Sequence, residues 1–169
     1  MLTISDGVAA GTRDDASGEA LAARLSELGY EVERGIAADD AASIARIVRD
    51  RATRTRLIVS TGGTGLGPRD VTPQALRDVL EYEIPGFGEV MRAAGRRSTA
   101  MADLSRSLAG VVGSCLVVCV PGSTGGARES LVAIEPLLAH ALETLGGHTQ
   151  HTAGTSPVED APGAPHSHG

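Results

Sequence analysis

The sequence predicts an α/β fold with three layers, α/β/α, around a mostly parallel sheet. Short apolar runs alternate along the chain with longer segments whose apolar residues recur at helical spacing. Glycine-rich loops follow two of the apolar runs, which is typical of sheets whose strands end at a ligand-binding edge. With 169 residues and 41% apolar composition, the chain is suited to one domain with a real core.

The first half of the chain predicts three strands and two helices. The opening MLTIS is a short strand, and because buried strands run ~5–6 residues, we expect the native start to lie upstream of Met1. Residues 30–36 alternate apolar and polar, as in a strand near a sheet edge, and residues 56–61 form the next strand. The first helix has an apolar face of Leu21, Leu25 and Leu28 and ends at Gly29. The second helix begins at Asp39 and Asp40 and has an apolar face of Ile44, Ile47 and Val48.

The second half predicts three helices and one strand. Thr72 and Pro73 predict an N-cap with proline at the first helical position. Residues 85–101 predict a loop entering another helix, and residues 115–120 predict a continuous apolar strand. Pro136 should kink or split the last helix. The apolar faces of the first and last of these helices comprise Leu76, Val79 and Leu80, and Leu131, Ile134, Leu138, Leu142 and Leu145.

Composition changes at the end of the last helix. Residues 1–146 form the predicted domain, and residues 147–169, rich in Gly, Pro, His, Thr and Ser, are predicted to be a disordered tail. Four of the five histidines lie in that tail at irregular spacing, which argues against a structural zinc site.

Composition also excludes several classes of protein. Only two Tyr and one Phe are present and the formal net charge is −6, which argues against nucleic-acid binding. No run approaches the ~18 apolar residues of a membrane span, and no signal segment opens the chain, so we expect a cytoplasmic protein with no membrane contact.

Cys115 and Cys119 would lie roughly 13 Å apart on one face of a strand, at about 3.3 Å per residue. Because that distance is too long for a disulfide, we expect both thiols to be reduced.

Three loops follow predicted strands: Ser5–Asp6, residues 60–70 and residues 121–126. In a parallel sheet all three should face one edge.

The stretch STGGTGLGPRDVTP lacks the Lys-Ser or Lys-Thr of a P-loop and the G-x-G-x-x-G of a Rossmann fingerprint. Its backbone N–H groups can still form an anion nest. The stretch PGSTGGARES precedes a helix, where it either binds phosphate or is merely capped by Ser123 or Thr124. The stretch STGGTGLGPRDVTP could instead be a tight turn that binds no ligand. Two anion-binding loops on one edge predict a ligand with several phosphates, or two phosphorylated ligands side by side.

Five stretches carry a resemblance to a known family: TISD, TGGTGLGPRDVTPQAL, IPGFGEVMR, LSRSLAG and VPGSTGGARESL. In this order they resemble the molybdopterin adenylyltransferases, the Mog/MoaB-like family of molybdenum cofactor biosynthesis, and also the G domain of gephyrin. The resemblance covers residues 2 to about 146. It implies the MoaB/Mog-like α/β fold, a homotrimer, and transfer of the adenylyl group of ATP to the terminal phosphate of molybdopterin with Mg²⁺ as cofactor. The product would then pass to a molybdate-inserting partner enzyme.

The resemblance also implies roles for individual residues. Asp39 and Asp70 would be the catalytic acids and the Mg²⁺ ligands. The nucleotide-binding set would be Asp6, Gly62, Gly63, Thr64, Gly65, Pro121, Gly122 and Ser123. The pterin-binding set would be Arg69, Thr72, Ser105 and Arg106.

Other interpretations of these residues remain open. Asp39 could instead cap a helix, with Asp40 adjacent, and Asp70 could merely pair with Arg69 or Arg77. A non-catalytic trimer that binds molybdopterin or a partner is the main alternative function. The competence-damage branch, with its GGxGPTxDD pattern, is disfavoured by Thr64 and Arg69.

Overall fold

A central sheet organises the computed structural model, which describes residues 1–147. Its strands in chain order are β1 (Leu2–Ile4), β2 (Gly35–Ala37), β3 (Leu57–Thr61), β4 (Tyr82–Glu83), β5 (Leu108–Val112) and β6 (Cys115–Val120). They lie in the order β2-β1-β3-β6-β5-β4. The pairs among β2, β1, β3 and β6 are parallel, whereas β5 and β4 are antiparallel to their neighbours. The predicted mostly parallel α/β architecture is confirmed.

Helices cover both faces of the sheet and complete the three layers. They are α1 (Asp6–Ala9), α2 (Ala16–Glu27), α3 (Ala41–Ala52), α4 (Thr72–Arg77), α5 (Pro85–Gly95) and α6 (Thr124–Leu145), with a 3₁₀ turn at Ala100–Leu104. One apolar cluster packs α2, α5 and α6 against the sheet, and a second packs α3 and α4 against the other face. Strand β6 serves both clusters, since successive side chains point to opposite faces: Leu116 and Val118 to the first, Val117 and Cys119 to the second.

The strand predicted over residues 30–36 is shorter than expected. It begins only at Gly35, because β1 pairs with Gly35–Ala37 and gives the preceding residues no partner. Its predicted position at the sheet edge is confirmed. Residues 57–59 of β3 likewise have no partner in β1, which pairs only with Ser60 and Thr61. A cavity of about 760 Å³ lies at this end of the sheet, opposite to the carboxyl ends of the parallel strands, and Met1, Val32 and residues 57–59 are among its lining residues.

The N-cap predicted at Thr72 is wrong, and of the two outcomes predicted at Pro136, a kink or a split, the split does not occur. Thr72 is the first residue of α4 rather than its N-cap: Val71 occupies the cap without a side-chain bond, and the Thr72 hydroxyl donates to the Gly62 carbonyl at 2.9 Å. Helix α6 is not split at Pro136 but continues to Leu145. Proline has no N–H to bond the carbonyl four residues earlier, which is that of Val132, and Val132 is 54% exposed.

Strands β4 and β5 have no counterpart in the sequence prediction. β5 contains Gly110, and glycine is depleted in strands. β4 is only two residues long and both are exposed, so it has no apolar alternation. Helix α5 also begins at Pro85 itself, without the predicted loop. The predicted tail lies outside the described residues from position 148 onward, so the domain boundary stays a prediction.

Both cysteines are buried free thiols in β6. Burial raises the pKa of Cys115 to about 11 and that of Cys119 to about 12, because an apolar environment disfavours the thiolate. Separately, no helix within residues 1–147 combines the length and apolar character needed to cross a membrane.

We therefore expect both thiols to be unreactive in the folded protein. A disulfide-exchange reagent at mildly alkaline pH should label neither Cys115 nor Cys119 until denaturant is added, because the thiolate is the reactive form. Labelling followed by absorbance, with and without denaturant, checks this. Rapid labelling of the native protein would contradict the buried placement of β6.

Candidate active site

Loops at the carboxyl ends of the parallel strands enclose a cleft of about 330 Å³. The loop after β1, the glycine loop after β3 and the loop after β6 all contribute to its lining, so the predicted meeting of three loops at one edge is confirmed. The lining comprises Thr3, Ile4, Ser5, Val8, Arg13, Asp14, Ala16, Ser17, Asp39, Thr61, Gly62, Gly63, Arg69, Asp70, Gly122 and Thr124. We refer to this space as the cleft.

Asp6 and Asp39 bind each other's backbone at the ends of β1 and β2. The N–H of Asp6 donates to Oδ2 of Asp39 at 2.9 Å, and the N–H of Asp39 donates to Oδ1 of Asp6 at 3.0 Å. Each carboxylate therefore accepts from a donor whose position the neighbouring strand fixes. The exchange holds the two loops together and orients Asp39 on the cleft.

The neighbouring Asp40 has a different role. It is the N-cap of α3, where its carboxylate accepts from the N–H of Ser43 at 2.8 Å. This backbone bond lowers the pKa of Asp40. The alternative in which Asp39 is the helix cap is thus wrong: Asp40 caps the helix and Asp39 lines the cleft.

Arg69 reaches across from the glycine loop to Asp6. Its Nε and Nη2 both donate to Oδ2 of Asp6, at 3.1 and 2.5 Å. The pKa of Asp6 is lowered, first by the backbone N–H of Asp39 and then by Arg69. The pKa of Arg69 is raised, chiefly by its hydrogen bond to Asp6 and less by the carboxylates of Asp39 and Asp40.

Among residues 1–147, the Asp70 carboxylate forms no ion pair with an arginine, contrary to the alternative in which it pairs with Arg69 or Arg77. Arg69 pairs with Asp6, and Arg77 pairs with Glu83. One oxygen of the Asp70 carboxylate accepts from the N–H of Gly67 at 2.8 Å, which closes the glycine loop on itself. Asp70 nonetheless lines the cleft.

The backbone of Gly62 and Gly63 forms the floor of the cleft. Their φ values are 104° and 63°, a region that side chains rarely adopt. A Cβ on Gly62 would lie 2.1 Å from the carbonyl oxygen of Ile4, and one on Gly63 would lie 2.4 Å from Oγ1 of Thr72. Both glycines are therefore required by conformation and by space.

Two residues of the predicted pterin-binding set hold the glycine loop from behind. Thr72 is fully buried and donates to the Gly62 carbonyl. The Arg106 guanidinium donates to the Gly65 carbonyl, at 2.8 Å, and to the Asp70 carbonyl. The backbone N–H of Arg106 donates to the Thr64 carbonyl. These bonds fix the loop whose far side lines the cleft.

The structure brings some predicted site residues together in the cleft and leaves others outside its lining. Lining residues from the predicted sets are Asp39, Gly62, Gly63, Arg69, Asp70 and Gly122. Those outside the lining are Asp6, Thr64, Gly65, Thr72, Ser105, Arg106, Pro121 and Ser123. Ser105 bonds the hydroxyl of Ser107 at 2.8 Å, and Thr64 is buried. Ser123 is the N-cap of α6, which is the capping role predicted as the alternative to phosphate binding.

Sequence reasoning missed the segment between α1 and α2, which supplies Arg13 and Asp14 to the lining, and the first turn of α2, which supplies Ala16 and Ser17. Asp15 anchors this segment: it caps α2 through Gly18, accepts from the hydroxyl of Thr3 and pairs with Arg34. The segment follows the same strand as Ser5–Asp6, so strand order alone could have placed it at the cleft.

The donor set of the cleft suits Mg²⁺. Mg²⁺ is usually held by one or two carboxylates together with substrate phosphates. Asp39 and Asp70 both line the cleft, and each carboxylate binds a backbone N–H through Oδ2 alone among the described residues. Residues 1–147 contain no group of three His, Cys, Asp or Glu side chains that could hold a metal without a substrate.

Comparison with known proteins places the chain among relatives of one kind. The family model described as "Probable molybdopterin binding domain" matches residues 1–140. A molybdenum cofactor biosynthesis bifunctional protein of Synechococcus elongatus is 40% identical over 149 residues, covering 87% of this chain and 47% of that protein. The chain thus spans about half the length of this bifunctional relative.

Two further relatives are covered almost completely. A molybdopterin adenylyltransferase of Helicobacter pylori is 33% identical, with 88% of this chain and 87% of that protein covered. The crystal structure of the molybdopterin biosynthesis enzyme MoaB from Thermus thermophilus has 44% identity and a TM-score of 0.81, covering 86% of this chain and 94% of that one.

Replacing Gly62 should destabilise the fold. In Gly62→Ala, the new methyl meets the Ile4 carbonyl at a φ that alanine disfavours, so we expect a loss of about 2 kcal/mol or more in the free energy of unfolding. Urea unfolding measures this. Gly86→Ala is the matched control, because Gly86 is exposed and a Cβ there meets nothing within 4 Å. Equal stability of both variants would contradict the loop geometry.

The Asp6 carboxyl should titrate below its ordinary pKa of 3.8. Because folding lowers this pKa, the Asp6 contribution to stability is present above 3.8 and is lost as pH falls through the folded value. Carbon-detected NMR titration measures it. In Arg69→Gln we expect the pKa to rise but to stay below 3.8, since the larger cause is the Asp39 N–H. Titration of wild-type Asp6 at or above 3.8 would be the contrary result.

Proposed function

Because the chain belongs to the family of probable molybdopterin-binding domains, we propose that it transfers the adenylyl group of ATP to the terminal phosphate of molybdopterin. The products are adenylylated molybdopterin and pyrophosphate. The observation that carries the proposal is the cleft itself, in which Asp39 and Asp70 face the Gly62–Gly63 backbone and Arg69. The similarity to a molybdopterin adenylyltransferase that the chain covers almost completely supports it.

The reaction joins two anions, so its main demand is charge neutralisation. An oxygen of the pterin phosphate forms a bond to the α-phosphorus of ATP. The bond between that phosphorus and the oxygen bridging to the β-phosphate breaks, and pyrophosphate leaves with the electron pair. A phosphate monoester is largely a dianion at neutral pH, since its second pKa is about 6, so the nucleophile needs no base.

The residues of the cleft meet this demand by position and charge. The backbone at Gly62 and Gly63 approaches the phosphates without steric hindrance from side chains. Arg69 exchanges part of its bond with Asp6 for a phosphate oxygen as substrate binds; both side chains are exposed, so the exchange needs no desolvated intermediate. Asp39 and Asp70 would hold Mg²⁺, which, when bound, supplies positive charge at the transferred phosphate.

The residues behind the loop act indirectly. Thr72 and Arg106 keep the glycine loop and the Asp70 backbone in place, so they support both substrates without lining the cleft. We assign the nucleotide to the Gly62–Gly63 and Gly122 side and the pterin phosphate to the Arg69 side of the cleft.

Assembly, location and partner form the finer part of the proposal. The chain acts as a homotrimer, and exposed apolar side chains such as Leu66, Met101 and Leu104 are available for contacts between copies. It works in the cytoplasm, in keeping with two free, buried thiols. Its product passes to a molybdate-inserting enzyme.

Mass spectrometry of the reaction tests the function. Purified protein with Mg²⁺, ATP and molybdopterin should form a species with the mass of the pterin plus AMP, with matched release of pyrophosphate. Asp39→Asn and Asp70→Asn should each lower the rate about 10²–10³-fold, because each removes a negative charge from the site that neutralises the phosphates through Mg²⁺.

Asp40→Asn is the matched control. It changes the adjacent carboxylate, but asparagine caps a helix as well as aspartate, so fold and rate should both be preserved. Molybdopterin binding without product by the folded wild type would favour the non-catalytic alternative. A loss of rate in Asp40→Asn equal to that in Asp39→Asn would contradict the assignment of Asp39.

A further inference from the structure

Arg13 lines the cleft but takes part in no ion pair within residues 1–147. It lies in the segment between α1 and α2 and is exposed. The other arginine of the lining, Arg69, is held by Asp6. Arg13 is therefore the cation of the lining that can take up an anion without first releasing a carboxylate.

Hydrogen bonds to Gly7 fix the backbone at Arg13. The Gly7 carbonyl accepts from the N–H groups of Arg13 and Thr12, at 3.1 and 2.9 Å, and from the Thr12 hydroxyl at 3.1 Å. The Arg13 side chain passes close to Gly7, where an added Cβ would lie 3.2 Å from the Cβ of Arg13. Asp15, on the other side, is anchored by Thr3 and Arg34. Arg13 thus lines the cleft from a backbone held by hydrogen bonds.

Charge in the lining leaves a need for such a group. Asp14, Asp39 and Asp70 supply three carboxylates, against the two guanidinium groups of Arg13 and Arg69. Asp6 already compensates Arg69. A triphosphate carries more negative charge than a single Mg²⁺ neutralises, so the phosphates beyond the metal held by Asp39 and Asp70 require a further cation.

The two arginines approach neighbouring residues at the start of α1. Asp6 at the start of α1 contacts Arg69, which also feels the charges of Asp39 and Asp40. The next residue, Gly7, contacts Arg13. Arg69 therefore lies with Asp39 and the reacting α-phosphate, and Arg13, which packs one residue further along α1, is placed to reach the phosphates that adjoin it.

We propose that Arg13 binds the β- and γ-phosphates of ATP, the portion that leaves as pyrophosphate. The inference rests on the proposed function and deepens it, because it assigns the leaving group to a residue outside every motif that identified the family. Arg13 contributes to binding of the leaving group and to stabilising the charge that develops on it as the bond breaks.

Calorimetric titration of the full chain with ATP, AMP and inorganic pyrophosphate, each with Mg²⁺, tests the proposal. Arg13→Gln should weaken ATP and pyrophosphate about 10-fold or more, as expected for loss of a charge-assisted hydrogen bond, and leave AMP unchanged. Arg13→Lys should recover part of the loss. Arg49→Gln is the control for overall charge, because Arg49 is exposed on α3, forms no ion pair among the described residues and does not line the cleft.

Each outcome bears on the proposal separately from the proposed function. Unchanged ATP affinity in Arg13→Gln overturns it, as does an equal loss for AMP and ATP, which would place Arg13 elsewhere on the nucleotide. Absence of ATP binding by the wild type overturns both. Binding with the expected selectivity but without adenylylated product supports the Arg13 assignment while the transferase function fails.

Discussion

The reciprocal bonding of Asp6 and Asp39 is the interaction on which the site depends. Two neighbouring parallel strands, β1 and β2, end at the same edge, and each N–H at that edge needs an acceptor. The two carboxylates satisfy these donors across the strand gap, at 2.9 and 3.0 Å. Arg69 then compensates Asp6, and the loop that carries Arg69 is fixed in turn by Thr72 and Arg106. Backbone geometry at the sheet edge thereby determines where charge can be placed.

The polar residues divide into those that hold the loops and those that face the cleft. Thr72 and Arg106 spend their hydrogen bonds on carbonyl groups of the glycine loop, and Asp40 on the first turn of α3. Asp39 and Asp70 each use one carboxylate oxygen for a backbone N–H, and both residues line the cleft. A site that must bring two phosphorylated substrates together benefits from this division, because loops held by their own bonds need no reordering when the substrates arrive.

The fold class and the meeting of loops at one edge could be predicted from the sequence, because both follow from the alternation of strands and helices. The distinction between Asp39 and Asp40 could not: both are aspartates before one helix, and only the register of β2 against β1 decides which faces the cleft. Thr72 failed as a cap for a similar reason, since a buried carbonyl at Gly62 competes for its hydroxyl. Arg13 belongs to no motif, and its position depends on how the segment after α1 folds back onto Gly7.

A crystal structure with Mg²⁺ and a non-hydrolysable ATP analogue would test the central claim most directly. We predict phosphates against the Gly62–Gly63 backbone and a Mg²⁺ that Asp39 and Asp70 would hold. A nucleotide bound instead in the larger cavity beside Met1 and residues 57–59, at the opposite end of the sheet, would contradict it.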